Sequence, residues 1–193
     1  MTPDRWLVAP AKALAFVCGT ALVLTSLLVT IDVASRRLLN WSLTGADEVS
    51  GYVLAVTAAW GFGYAALVKA HIRIDTAIRL IGQPARAALD VVAHAALLVF
   101  AVALAYHAYG VLAFSAGHAS RSQTPLQIPL WIPQALWAAG LFFFAVVCLA
   151  MVSAAVIRMV RRDWIGASEI LNADEIAEEV AGVRPGERQE PAS

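Results

Sequence analysis

Fourteen acidic residues, fourteen Lys and Arg and four histidines make up most of the chain's titratable groups. Three carboxylates, Asp32, Asp47 and Glu48, are the ones read as lying closest to long apolar runs. A proton-coupled carrier needs a carboxylate well inside a helix, where proton binding competes with substrate in a low-dielectric pocket. Each of these three instead falls within a turn or two of a run's end, where water can solvate it, so they read as end-capping or intersubunit groups. His94, His107 and His118 lie in or beside one apolar run, and His71 just follows another. A haem b held by two histidines needs them on facing helices at similar depth. Only a His71 and His94 pair leaves that open, and interfacial or helix-contact histidines are the simpler reading. No nucleotide loop, zinc spacing or nucleophile elbow occurs, so neither a catalytic nor a metal site is expected, and no cofactor in this chain. Cys18 and Cys148 sit far apart in apolar runs and read as small hydrophobes rather than a disulfide.

The elements that carry these residues are membrane spans. Hydrophobic residues make up 60% of the 193, charged ones only 15%, and the mean hydropathy is +0.70. That composition predicts an all-α integral membrane protein without room for a sizeable soluble domain. The clearest crossing is 49–68, twenty residues without formal charge, opened by Asp47 and Glu48 and closed by Lys69, His71 and Arg73. At about 1.5 Å per residue such a run matches a hydrocarbon core of about 30 Å. Three more spans are expected at 13–31, 89–114 and 130–157, the third long enough to require tilt. The basic-then-apolar order at the amino terminus resembles a signal peptide, but the apolar run outlasts a signal core and is read as a retained anchor. Between spans two and three, Ile74, Ile78 and Ile81 share one helical face and Asp75, Arg79 and Arg86 another, which suggests an interfacial helix. The transmembrane domain then covers 1–157, and 158–193 reads as a solvated acidic tail. Asn172 and Glu175 suggest a short helix within it, and Pro185, Gly186 and Pro191 disorder beyond.

Charge placement sets an orientation. Zero net charge excludes a nucleic-acid footprint. Of the fourteen Lys and Arg, only Arg36, Arg37 and Arg121 fall in the first and third loops. The rest occupy the termini and the loop between spans two and three. The positive-inside rule predicts both termini in the cytoplasm and the loops 32–48 and 115–129 outside. Spans two to four read as carrying no buried formal charge. A path for a polar solute normally shows polar or broken helices at mid-depth, so this chain is not expected to form one.

Several spaced motifs match a known family. Asp32, Arg36 and Arg37 follow span one, and Ala46, Asp47 and Glu48 enter span two. Lys69, His71, Ile72 and Asp75 leave it, and Ser122, Thr124-Pro125-Leu126 and Ile128-Pro129-Leu130-Trp131-Ile132-Pro133 precede span four. This order resembles the small membrane subunit of tripartite ATP-independent periplasmic (TRAP) transporters, the DctQ type, over about 17–157. The resemblance implies a subunit of the bacterial inner membrane that braces a large multispan permease, with membrane lipids around both. It implies also a periplasmic solute-binding protein delivering an organic acid, and uptake driven by an ion gradient with sodium at the large subunit. Partner-binding candidates are Trp41, Asp47, Glu48, Arg121, Ser122 and Gln123 on the outer side. Lys69, His71, Arg73 and Asp75 form a motif at the cytoplasmic helix end. A cytochrome b-type membrane anchor and a self-sufficient four-span exporter are the alternative readings.

Overall fold

The computed structural model describes residues 4–69 and 82–171. Five helices account for most of them: α1 (Asp4–Leu39), α2 (Ala46–Leu67), α3 (Gln83–Gly117), α4 (Trp131–Val160) and α5 (Trp164–Leu171). The first four are long and apolar enough to cross a membrane. Their ends are set by local backbone chemistry. Asn40, Lys69, Ala119 and Arg162 adopt positive φ just beyond the helices they follow, the left-handed residue that commonly closes a helix. Pro84 occupies the first turn of α3, where its missing N–H costs nothing.

The spans form a row in the order α1, α2, α4, α3. The extensive contacts are α1 with α2, α2 with α4, and α4 with α3. Burial follows this order: 33% of the most apolar stretch of α4 is buried, against 6% for α1. The buried faces are built from small residues. Ala59 of α2, Ala108 of α3 and Ala138 and Leu141 of α4 form one cluster. Ala66, Ala101, Ala105, Phe144, Ala145, Val147 and Cys148 form a second, nearer the α2–α3 end. Small side chains let membrane helices approach closely enough for dispersion to hold them, since lipid provides no hydrophobic drive for their association. Gly140 marks the closest backbone approach between spans among the described residues. A Cβ there would lie 2.9 Å from both the Ala59 Cβ and the Trp60 backbone nitrogen. Trp60 donates its indole N–H to Leu136 O at 3.1 Å and stacks on Phe143 at 5.5 Å.

Two expectations are corrected. α3 begins before the expected span and carries Asp90 fully buried on its inner face, so the expectation of no buried charge in spans two to four fails. The residues just past span four, expected to be solvated tail, fold into α5, which packs on α4 and α3 with Ala167 and Leu171 buried. Asp163 starts that helix by accepting the Gly166 N–H at 3.0 Å, and Arg158 donates to Gly166 O at 3.2 Å. The expected interfacial helix at 74–81 and the helix at Asn172 to Val180 lie outside the described residues.

Gly140→Ala is expected to destabilise the purified chain by about 1–3 kcal/mol through overpacking. Gly110→Ala, whose added Cβ meets nothing within 4 Å, is expected to be neutral or slightly stabilising. Thermal unfolding in detergent checks both.

Candidate functional site

Asp32 lies in the last two turns of α1 and is 1% exposed, so the solvation expected for it from its place in the sequence does not occur. Burial of a carboxylate requires compensation, and four donors supply it. Arg36, one turn on, donates Nε to Oδ2 at 3.0 Å, and its Nη2 reaches the same oxygen. The Leu43 backbone N–H reaches Oδ1 at 2.6 Å and the Ser42 hydroxyl at 3.3 Å. Arg36 extends to Asp47 at 3.6 Å. One acidic side chain thus ties the end of α1 to the α1–α2 loop, and its arginine continues the link to the start of α2.

Glu48 makes the second joint. Its Oε1 accepts the Tyr52 hydroxyl at 2.6 Å, one turn along α2, and its Oε2 accepts the Thr124 hydroxyl from the α3–α4 loop. Ser122 supports Thr124, with the hydroxyls 2.9 Å apart and the Thr124 N–H donating to Ser122 Oγ at 3.2 Å. The loop is closed by Ser122 N–H to Ile128 O at 2.9 Å and Leu130 N–H to Ser120 O at 3.0 Å. Leu126 packs down over Gly45, whose φ of 93° and lack of a side chain make room for it. Both loops therefore sit at one end of the row, joined through Glu48.

The six outer candidates divide. Glu48 and Ser122 are partly buried and engaged within the chain, whereas Trp41, Asp47, Arg121 and Gln123 are exposed. Trp41 is 57% exposed and the Asp47 side chain 82%. Arg121 donates to Gln127 O at 3.4 Å, which leaves the rest of its guanidinium outward. Of the second set, Lys69 ends α2, its N–H donating to Ala66 O at 3.1 Å. His71, Arg73 and Asp75 lie outside the described residues.

At that opposite end the structure brings together residues that sequence reasoning missed. Asp90 is completely buried, and its Oδ2 accepts the Ser168 hydroxyl from α5. His94 Nδ1 lies 2.9 Å from Asp90 O. His94, Lys69, Ala66, Leu97, Cys148, Met151 and Leu171 line a cavity of about 10 Å³. Arg86 Nε is buried nearby in sequence, without a partner among the described residues. A signal for Asp90 was present: it stands three residues from Ala87 and eleven, about three helical turns, from Ala101, which Ala105 and Ala108 follow at steps of four and three, so all five share the stripe that faces the core. Among the described residues no three His, Cys, Asp or Glu side chains gather as a metal ion would need.

The family model described as "Tripartite ATP-independent periplasmic transporters, DctQ component" matches residues 25–158. The chain belongs to the DctQ family. The match starts within α1, ahead of the Asp32 joint, and ends at Arg158 in the last turn of α4. Both loop-end joints therefore lie inside the DctQ region, and α5 lies outside it. No curated protein matches the chain at a significant level. Membership makes it a small permease subunit of a TRAP transporter and a multi-pass membrane protein, in a family of transporter components rather than enzymes.

The Glu48 joint predicts non-additivity. Glu48→Ala and Thr124→Val should each lower the apparent Tm, and the double variant should fall well short of the sum of the two losses. A double-mutant cycle of thermal unfolding measures this.

Proposed function

We propose that this subunit braces the large permease and helps dock a periplasmic solute-binding protein, while the large subunit carries the solute. The observation that supports this most directly is the row. Helices packed side by side enclose no lumen, and the contact level shared by α2, α3 and α4 is filled by Ala59, Ala108, Ala138 and Leu141. Among the described residues, the two buried carboxylates do not supply a path either. Asp32 is held by Arg36 and Leu43, and Asp90 by Ser168, at opposite ends of the row.

The loop end is the docking face in this reading. With both termini cytoplasmic, Trp41, Asp47, Arg121 and Gln123 face the periplasm of a bacterial inner membrane. The Asp32 and Glu48 joints hold these exposed groups in fixed relation, so the binding protein meets a preformed surface. The solute is an organic acid and the coupling ion is sodium, both handled at the large subunit. Rim charges of this kind tune encounter more than solute choice.

The test is reconstitution of the large subunit, this chain and the binding protein in proteoliposomes. Asp47→Lys combined with Arg121→Glu should raise the binding-protein concentration for half-maximal uptake several-fold, with solute preference unchanged. A changed preference would count against the proposal, as would uptake by vesicles holding this chain alone. A Soret band in the purified subunit would favour a cytochrome-type anchor instead.

A further inference from the structure

α3 forms one edge of the row, and its outward face is unlike the other exposed faces. Tyr106 is 72% exposed, Tyr109 is 59% exposed, and His107 between them is exposed too. The His107 ring meets the Tyr106 ring edge-on at 5.5 Å. Among the described residues, none of the three side chains has a hydrogen-bond partner.

Their depth makes this costly. Ala108, next in sequence, packs at the level of Ala59 and Leu141. Those residues lie thirteen and ten positions into α2 and α4, about 20 Å and 15 Å along each helix. In a hydrocarbon core of about 30 Å, that is close to the midplane. Headgroups and water are then about 15 Å away, so these side chains do not snorkel and do not form an interfacial aromatic belt. Ionisable groups in spans face protein or water-filled cavities, because lipid tails return no hydrogen bond.

On the other exposed faces, several hydroxyls are satisfied within their own helix. Thr20 and Thr30 of α1 donate to carbonyls four residues back, and Ser153 of α4 to one three residues back. Their large exposed neighbours, such as Phe16, Leu24, Val146 and Leu149, suit acyl chains. Gly110 of α3 stands one turn from Tyr106 and His107 with open space where a Cβ would be, as at Gly19 of α1 and Gly51 and Gly61 of α2, but here the gap lies beside exposed polar rings. That notch admits a close helix.

We infer that the outward face of α3 around Tyr106, His107 and Gly110 is where a transmembrane helix of the large permease subunit docks, offering a hydrogen-bonding side chain to the imidazole near the bilayer midplane. This rests on the bracing role proposed above and adds to it a face and a contact. Membership of a family whose members work with a larger permease supplies the occupant. The unmet polar groups at depth supply the place.

Photocrosslinking in membranes co-expressing both subunits tests it, with a benzophenone side chain at position 110 and, as control, at Val23 of α1. Position 110 should capture the large subunit and position 23 lipid. His107→Leu should reduce co-purified large subunit roughly three- to tenfold, the size of one interhelical hydrogen bond, whereas His107→Asn should retain most of it. Both variants should leave thermal unfolding of the isolated chain unchanged. If the unmodified chain retains its partner but position 110 captures only lipid or a second copy of this chain, the α3 assignment falls and the bracing role stands. Wild-type yields with His107→Leu would also overturn it. If the unmodified chain retains no large subunit at all, both fall.

Discussion

Apolar surface gains nothing by leaving lipid for protein, so helices in a bilayer hold together only where their atoms come close. In this chain that happens at Gly140, where α4 runs against the Ala59 and Trp60 backbone of α2. The Trp60 indole bond to Leu136 O and the stack on Phe143 lie around the same crossing. α4 then offers its other side to the alanines of α3. A fourth helix with no close crossing of its own to α4 attaches through α2, and the result is a row.

What dispersion does along the spans, two carboxylates do at the loop end. Asp32 and Glu48 differ in burial but share a logic. Each accepts from a residue one turn along its own helix and from a separate loop. The helix neighbour orients the carboxylate, and the loop contact fixes where the chain goes next. Exposed Trp41, Asp47, Arg121 and Gln123 are carried on segments these joints immobilise. At the other end the Asp90 carboxylate ties α3 to α5 through the Ser168 hydroxyl.

Four spans were legible because a run of apolar residues of bilayer length has few other uses in a chain this poor in charge. Their ends were less so. α3 reaches Gln83 rather than 89, since a membrane helix continues past the hydrocarbon as long as its backbone is satisfied. The order of the row was not legible, because it depends on which small residues face one another rather than on how many there are. Asp47 and Glu48 look alike in sequence, yet one is exposed and the other is a joint. The difference is Thr124, seventy-six positions away. Asp90 was not legible as a core residue from hydropathy, because it stands at the start of a long apolar run, where a carboxylate is usually solvated; only its helical phase put it on the inner face. α5 begins with Trp164 and Ile165 directly after Arg161, Arg162 and Asp163, and the charge before and after it masked eight apolar-rich residues.

α1 has 36 residues and its neighbour α2 only 22, and the two run antiparallel from a shared loop. About fourteen residues of α1, some 20 Å, therefore overhang the far end of α2. Along that length α1 has no facing α2 surface, so the contact between the two helices is set by the part of α1 nearest the Asp32 joint. The row is therefore uneven in depth, with one flank reaching past its neighbour at the end opposite the two loop joints.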